Sequence, residues 1–227
     1  MQNELLKLEN ITKSFPTPDG GELHILRDIN LTLHDGESIA ITGRSGSGKS
    51  TLLSIAALLS LPTDGRIYYS GKEVSSFSDR TLSELRNRKM GFVFQNSMLL
   101  EDFTALENVA MPLLIRGEKK KDAYEKARYF LSLVGMSERE NYRPTVLSGG
   151  ERQRTAIARA LSPESSVIFA DEPTGSLDEE TSSSIETLLL ETVRRENRGL
   201  VLVTHNNAFA DKADSTYILQ NGVLYEK

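Results

Sequence analysis

Gly43-Arg44-Ser45-Gly46-Ser47-Gly48-Lys49-Ser50-Thr51 decides how the rest of this chain is read. It has the form G-x-x-x-x-G-K-[ST], follows the β-branched run Ser38–Thr42 and opens a helical pattern over Lys49–Leu59. A strand, a glycine loop and a helix start in that order make a phosphate cradle. The glycines let consecutive N–H groups turn inward as an anion nest, and the helix N-terminus adds about half a positive charge. That chemistry directs Lys49 to the β- and γ-phosphates of a nucleotide and the Ser50 hydroxyl to Mg²⁺.

Working outward, Gly91–Phe94, Val167–Ala170 and Leu200–Thr204 are further short apolar runs closed by Gly, Asp or turn residues. Nearly continuous apolar runs suit strands buried on both faces, as in a parallel sheet. Helical patterns over Ala123–Val134, Glu151–Leu161 and roughly Glu180–Arg195 lie between them, and the alternation predicts an α/β fold. Asn221-Gly222, between Tyr217–Gln220 and Val223–Tyr225, predicts a type I′ hairpin. Residues from about 96 to 163 are mostly helical in pattern and read as a subdomain inserted into a core made of 1–95 and 164–227. The run Lys119–Lys121 fits a solvated surface, with a phosphate patch as the other reading.

The chain has 227 residues, 38% of them hydrophobic and 26% charged, which suits a globular domain with a genuine core. A net charge of -5 argues against a nucleic-acid partner. With no cysteine and three scattered histidines, disulfides and zinc sites are not expected. The residues from Met1 to Asn10 lack a signal-peptide core, and the longest apolar stretch, Leu52 to Leu61, is about half a bilayer span. The expected location is the cytoplasm, with any membrane crossing left to another polypeptide.

Val167-Ile168-Phe169-Ala170-Asp171-Glu172 ends an apolar strand in two carboxylates. Ligands bind at the C-terminal edge of strands in open α/β sheets, so an acid delivered there can serve a metal or a water. Asp171 is the candidate Mg²⁺ ligand and Glu172 the candidate general base that polarises the attacking water. On its own the pair reads first as a turn with a capping acid; beside the phosphate loop it forms a second half of one chemistry.

Leu147-Ser148-Gly149-Gly150-Glu151-Arg152-Gln153-Arg154 places two glycines before another helix, a second candidate anion site. With this stretch the whole chain resembles the ABC ATPase superfamily, whose signature LSGGQ stands here as LSGGE. The resemblance implies the P-loop NTPase fold of ABC ATPases: a mainly parallel core, an antiparallel β part and an inserted helical subdomain. It also implies a hydrolase that binds ATP and Mg²⁺ and roles for further residues. Gln95 matches the glutamine that touches Mg²⁺ and senses a membrane partner. Ser176-Leu177-Asp178 matches the D-loop, and His205 the switch histidine on the γ-phosphate. Phe15 lies where the family places an aromatic against adenine, although from sequence it could also be core. The resemblance further implies a homodimer in which Ser148-Gly149-Gly150 of one subunit closes over ATP held by Gly43–Thr51 of the other, with hydrolysis reopening the pair.

Thr104-Ala105-Leu106-Glu107-Asn108-Val109, Met111-Pro112-Leu113 and Asp171-Glu172-Pro173-Thr174-Gly175-Ser176-Leu177-Asp178 resemble the ATPases of lipoprotein-release and macrolide-export systems. That branch implies an integral membrane permease as partner and a peripheral place on the inner face of the cell membrane. Phe103, Leu106, Val109, Met111 and Leu113 form an apolar cluster that reads either as helical core or as a groove for a permease helix. Two rivals share the chemistry: a cell-division-type ATPase that controls a cell-wall hydrolase, and a nucleic-acid-associated ATPase, against which the acidic balance counts.

Overall fold

Strand β1 (Glu4–Pro16) buries Leu5, Leu6, Leu8 and Ile11 and pairs antiparallel with β2 (Glu22–His34). The computed structural model describes residues 3–227. They fall into two compact units, one running to Ser83 and resuming at Gly199–Lys227, the other Glu84–Arg198.

In the first unit, β1 also pairs with β4 (Asp64–Tyr69), which pairs with the short β5 (Lys72–Glu73), giving the order β2-β1-β4-β5. A second set of strands is built on β3 (Ser38–Thr42), buried at every residue as its unbroken apolar run predicts. It lies parallel to both β8 (Gly199–Val203) and β9 (Ser215–Gln220). Strand β10 (Val223–Glu226) returns antiparallel along β9. The connecting Asn221 and Gly222 have φ of 52° and 80°, the two positive values of the expected turn. Helix α1 (Lys49–Ala56) is three residues shorter than its sequence pattern suggests. Leu58 turns left-handed at φ 56°, and the Leu59 N–H closes back on the Ser54 carbonyl, which ends the helix.

In the second unit, β6 (Met90–Phe94) and β7 (Val167–Asp171) are parallel neighbours. Between them in sequence run α3 (Ala105–Ile115), α4 (Lys120–Leu133) and α5 (Gly149–Leu161); α6 (Glu179–Arg195) follows β7. Thr104 and Glu107 form a capping box that starts α3. Asn108, wholly buried, spends its amide on the Leu100, Phe103 and Thr104 carbonyls and the Leu100 N–H, fixing the loop before α3. The apolar cluster of this region divides. Leu106, Val109 and Leu113 are core, while Phe103 is exposed and Met111 half-buried. Lys119, Lys120 and Lys121 are all exposed, the solvated surface of the two readings.

Candidate active site

The phosphate loop leaves β3 at Gly43, whose φ of 148° and surroundings both exclude a side chain. A Cβ there would stand 2.5 Å from the Leu219 carbonyl oxygen and 2.9 Å from Ser47 Oγ. The loop closes on α1 through Gly48, the N-cap, at φ 99°. Lys49 is 9% exposed, and its ammonium donates to the carbonyls of Gly43 and Arg44 at 2.9 and 3.1 Å. A cation therefore sits at the loop's own mouth. Ser47 Oγ is buried without a hydrogen-bond partner, a polar atom that a phosphate oxygen would satisfy. Arg44, Ser45, Gly46 and Ser50 are exposed and Thr51 is half-buried. An open cleft of about 890 Å³ is lined by Gly43–Ser47, Leu23–Ile25 and the turn at Asn221.

His205 joins this loop by register. Ile41 pairs with Val203, so Gly43 and His205, each two residues on, leave neighbouring parallel strands at the same edge. Around it the Thr204 hydroxyl accepts the Asn206 N–H, and Asn206 caps the short helix α7 (Asn207–Ala210). Phe15, near the end of β1, is 46% exposed, and Lys13 Nζ lies 5.0 Å from its ring centre. The core reading of Phe15 fails; its ring is a surface platform.

The second unit repeats the logic. Phe94 pairs with Asp171, so Gln95 and Glu172 emerge together one residue further. Glu172 has φ 47°, a left-handed backbone that costs a non-glycine residue about 1–3 kcal/mol and turns the chain sharply after the strand. The Gly175 N–H then closes on the Glu172 carbonyl at 3.0 Å. Exposed Gln95 is held from behind, its carbonyl accepting from Ser176 Oγ and the preceding Phe94 carbonyl from the buried Gln153 amide. Asp178 caps α6, and the Thr181 N–H holds its carboxyl below the usual range.

Ser148 is exposed and caps α5, its hydroxyl accepting the Glu151 N–H. The Glu151 carboxylate accepts in turn from the Ser148 N–H at 2.8 Å and from Arg139 Nε at 3.0 Å. Those partners, the Ser148 N–H foremost, lower its pKa. At Gly150 a Cβ would meet Thr181 at 2.7 Å, so only glycine lets the start of α5 approach the start of α6 this closely. Sequence reasoning missed Gln153, a polar residue on an amphipathic helix that carries no sign of being turned inward. Ser176 it saw only as part of the D-loop.

Comparison with known proteins bears on the same residues. The family model described as ABC transporter matches residues 26–175. The chain belongs to the ABC transporter family. It is 47% identical over 225 residues to the lipoprotein-releasing system ATP-binding protein LolD of Hahella chejuensis, covering 99% of this chain and 96% of the relative. Among solved structures, a bacterial ABC transporter cassette described as dimeric is 35% identical, with a TM-score of 0.88 and 98% of both chains covered. The same figures hold for the ATP-binding cassette in a dimeric post-hydrolysis state bound to ADP and Pi. The α/β ABC ATPase fold expected from the sequence is thereby the fold observed. Among the described residues no helix is long and apolar enough to cross a membrane.

Proposed function

We propose that this ABC family member is the ATP-hydrolysing subunit of a lipoprotein-releasing type of transporter, working as an ATP-bridged homodimer beneath an integral membrane permease. Gly43–Thr51 hold the phosphates, with Lys49 on the β- and γ-oxygens and Phe15 stacking on the base. Glu172 orients and deprotonates the attacking water, and His205 contacts the γ-phosphate. Ser50, Asp171 and Gln95 would hold Mg²⁺, whose positive charge supplies neutralisation of the phosphates when bound. The donor set fits that ion: a hydroxyl, an amide and a carboxylate are hard oxygen ligands, and Mg²⁺ characteristically keeps waters and phosphate oxygens as the remainder. Among the described residues no group of three or more His, Cys, Asp or Glu is placed to hold a metal ion.

The observation that carries the reading is Ser148. It stands exposed at the N-terminus of a thirteen-residue helix, and a hydroxyl that accepts from Glu151 N–H keeps its own proton to donate. An exposed site that offers a proton, two glycine N–H groups and a helix dipole suits a nucleotide held by a second copy. The exposed Met98, Leu100 and Phe103, after Gln95, offer apolar area to a cytoplasmic helix of the permease. The helices of residues 96–163 read as the subdomain that carries this surface. Release of lipoproteins, rather than control of a cell-wall hydrolase, is favoured by the name borne by relatives that match the whole chain. The inner face of the membrane is the place such a subunit occupies.

ATP turnover measured with added inner-membrane vesicles, and separately with DNA or RNA, tests the proposal. Vesicles should change the rate and nucleic acid should not. Turnover stimulated by nucleic acid and indifferent to vesicles would overturn it.

A further inference from the structure

From Phe94 to Met98 the chain leaves β6 with four of its carbonyls gripped by side chains. Gln153 Nε2 donates to Phe94 O at 2.9 Å, and Ser176 Oγ to Gln95 O at 3.1 Å. Arg159 completes the set, giving Nη2 to Ser97 O at 2.7 Å and Nη1 to Met98 O at 2.5 Å. Gln153 and Arg159 both lie on α5, the helix that Ser148 caps.

Arg159 is the unusual member. Burial lowers its pKa, and both of its hydrogen bonds go to neutral carbonyls. Drawing a guanidinium out of water is costly, and a neutral side chain such as Met could fill the space without that cost. What the guanidinium alone offers is a rigid planar fork that fixes two successive peptide groups at once. The second of those peptides belongs to Met98, which is 62% exposed and left-handed at φ 49°. Its neighbour Leu100 is also exposed. From Arg159 back to Gly149 is ten residues of uninterrupted helix, about 15 Å. At the far end, Gln95, Met98, Gly149, Arg152 and Ser176 share the walls of one cleft of about 420 Å³.

We propose that Arg159 is a positioning residue: it ties the segment after Gln95 to the signature helix, so that a load on Met98 and Leu100 moves α5 and the Ser148 end with it. This rests on the functional reading above, in which Met98 and Leu100 meet the membrane partner and Ser148 meets the nucleotide of the other copy. The Arg159 guanidinium is bonded to carbonyls of its own chain. It acts through two carbonyls.

The chain has no cysteine, so Met98→Cys accepts a single nitroxide label. Label mobility and the ATP concentration for half-maximal dimerisation are measured in a Glu172→Gln parent and in the same parent carrying Arg159→Gln or Arg159→Lys. ATP affinity of the monomer and the melting temperature are measured in each. Arg159→Gln should free the label and raise the half-maximal ATP concentration about tenfold, with monomer affinity for ATP within twofold of the parent. Arg159→Lys, which keeps the charge but can serve one carbonyl well, should fall between. A freed label with unchanged dimerisation would overturn the coupling, and an unmoved label would overturn the clamp. If Arg159→Gln fails to fold, Arg159→Lys carries the same two readouts, and parental values in both refute the proposal. A parent that never dimerises with ATP sinks the functional reading itself, a result seen before any change at Arg159.

Discussion

Replacing Ser148 by alanine separates what the signature does for the fold from what it does between copies. Within one chain the hydroxyl accepts the Glu151 N–H at 3.2 Å, half of a capping box. Losing an N-cap hydroxyl costs about 1 kcal/mol, and for a chain of this length that is a melting-point drop of about 2–4 °C. The reciprocal bond from the Ser148 N–H to Glu151 remains, which holds the loss near that figure. Between copies the arithmetic differs. A hydroxyl donating to a charged phosphate is worth about 1.5–3 kcal/mol, and a two-fold dimer contains the interaction twice. Dimer formation should therefore weaken by about 3–6 kcal/mol, roughly 10²–10⁴ in the equilibrium constant. Sedimentation equilibrium in saturating ATP, with Glu172→Gln to suppress turnover, measures it beside a thermal melt. A variant whose melting point falls by a few degrees while its dimer constant stays within threefold of the parent would refute the reasoning, because Ser148 would then be a cap and nothing more.

Three other outcomes follow from the geometry. Phe15→Ala should leave stability within about 0.5 kcal/mol, since the ring is exposed, yet weaken ATP binding by about 1–3 kcal/mol in titration calorimetry. Lys49→Ala should abolish nucleotide binding, and unchanged ATP affinity in the same experiment would contradict the cradle assignment. Glu107 and Glu151 have carboxyls held below their usual pKa, in each case chiefly by the N–H of their N-cap residue. The stability they add is complete above the unfolded value of about 4.3 and is lost as pH falls through the lower folded values. The urea midpoint should therefore fall less steeply between about pH 5 and 3 in a Glu107→Gln, Glu151→Gln variant than in the parent.

What the sequence disclosed follows from how local each signal is. Strands β3 and β7 are contiguous stretches buried along nearly their whole length, and the phosphate loop is a contiguous motif, so the pattern and the structure coincide. The hairpin at Asn221-Gly222 was legible because two adjacent positive φ values leave few residue choices. Helix α2 (Asp79–Lys89) left almost no trace, since Leu82 is its one buried side chain among the described residues and most of the others are exposed. The grip on Phe94–Met98 was hidden for another reason. Its donors, Gln153, Arg159 and Ser176, are far away in sequence, and nothing in a polar side chain on a helix says that it turns inward to a carbonyl. Phe15 was ambiguous because one aromatic in a strand gives no sign of its face, and the structure leaves the ring 46% exposed. The strained φ of Glu172 was equally invisible, although it lies at the residue assigned the hydrolytic step.

The association state of Glu172→Gln with and without ATP tests the central claim most directly. With the base removed and the phosphate loop intact, the protein should be monomeric without nucleotide, become a dimer on addition of Mg-ATP with one nucleotide per chain, and fail to release phosphate. A Glu172→Gln protein that remains a monomer in saturating Mg-ATP and hydrolyses it at the parental rate would contradict it.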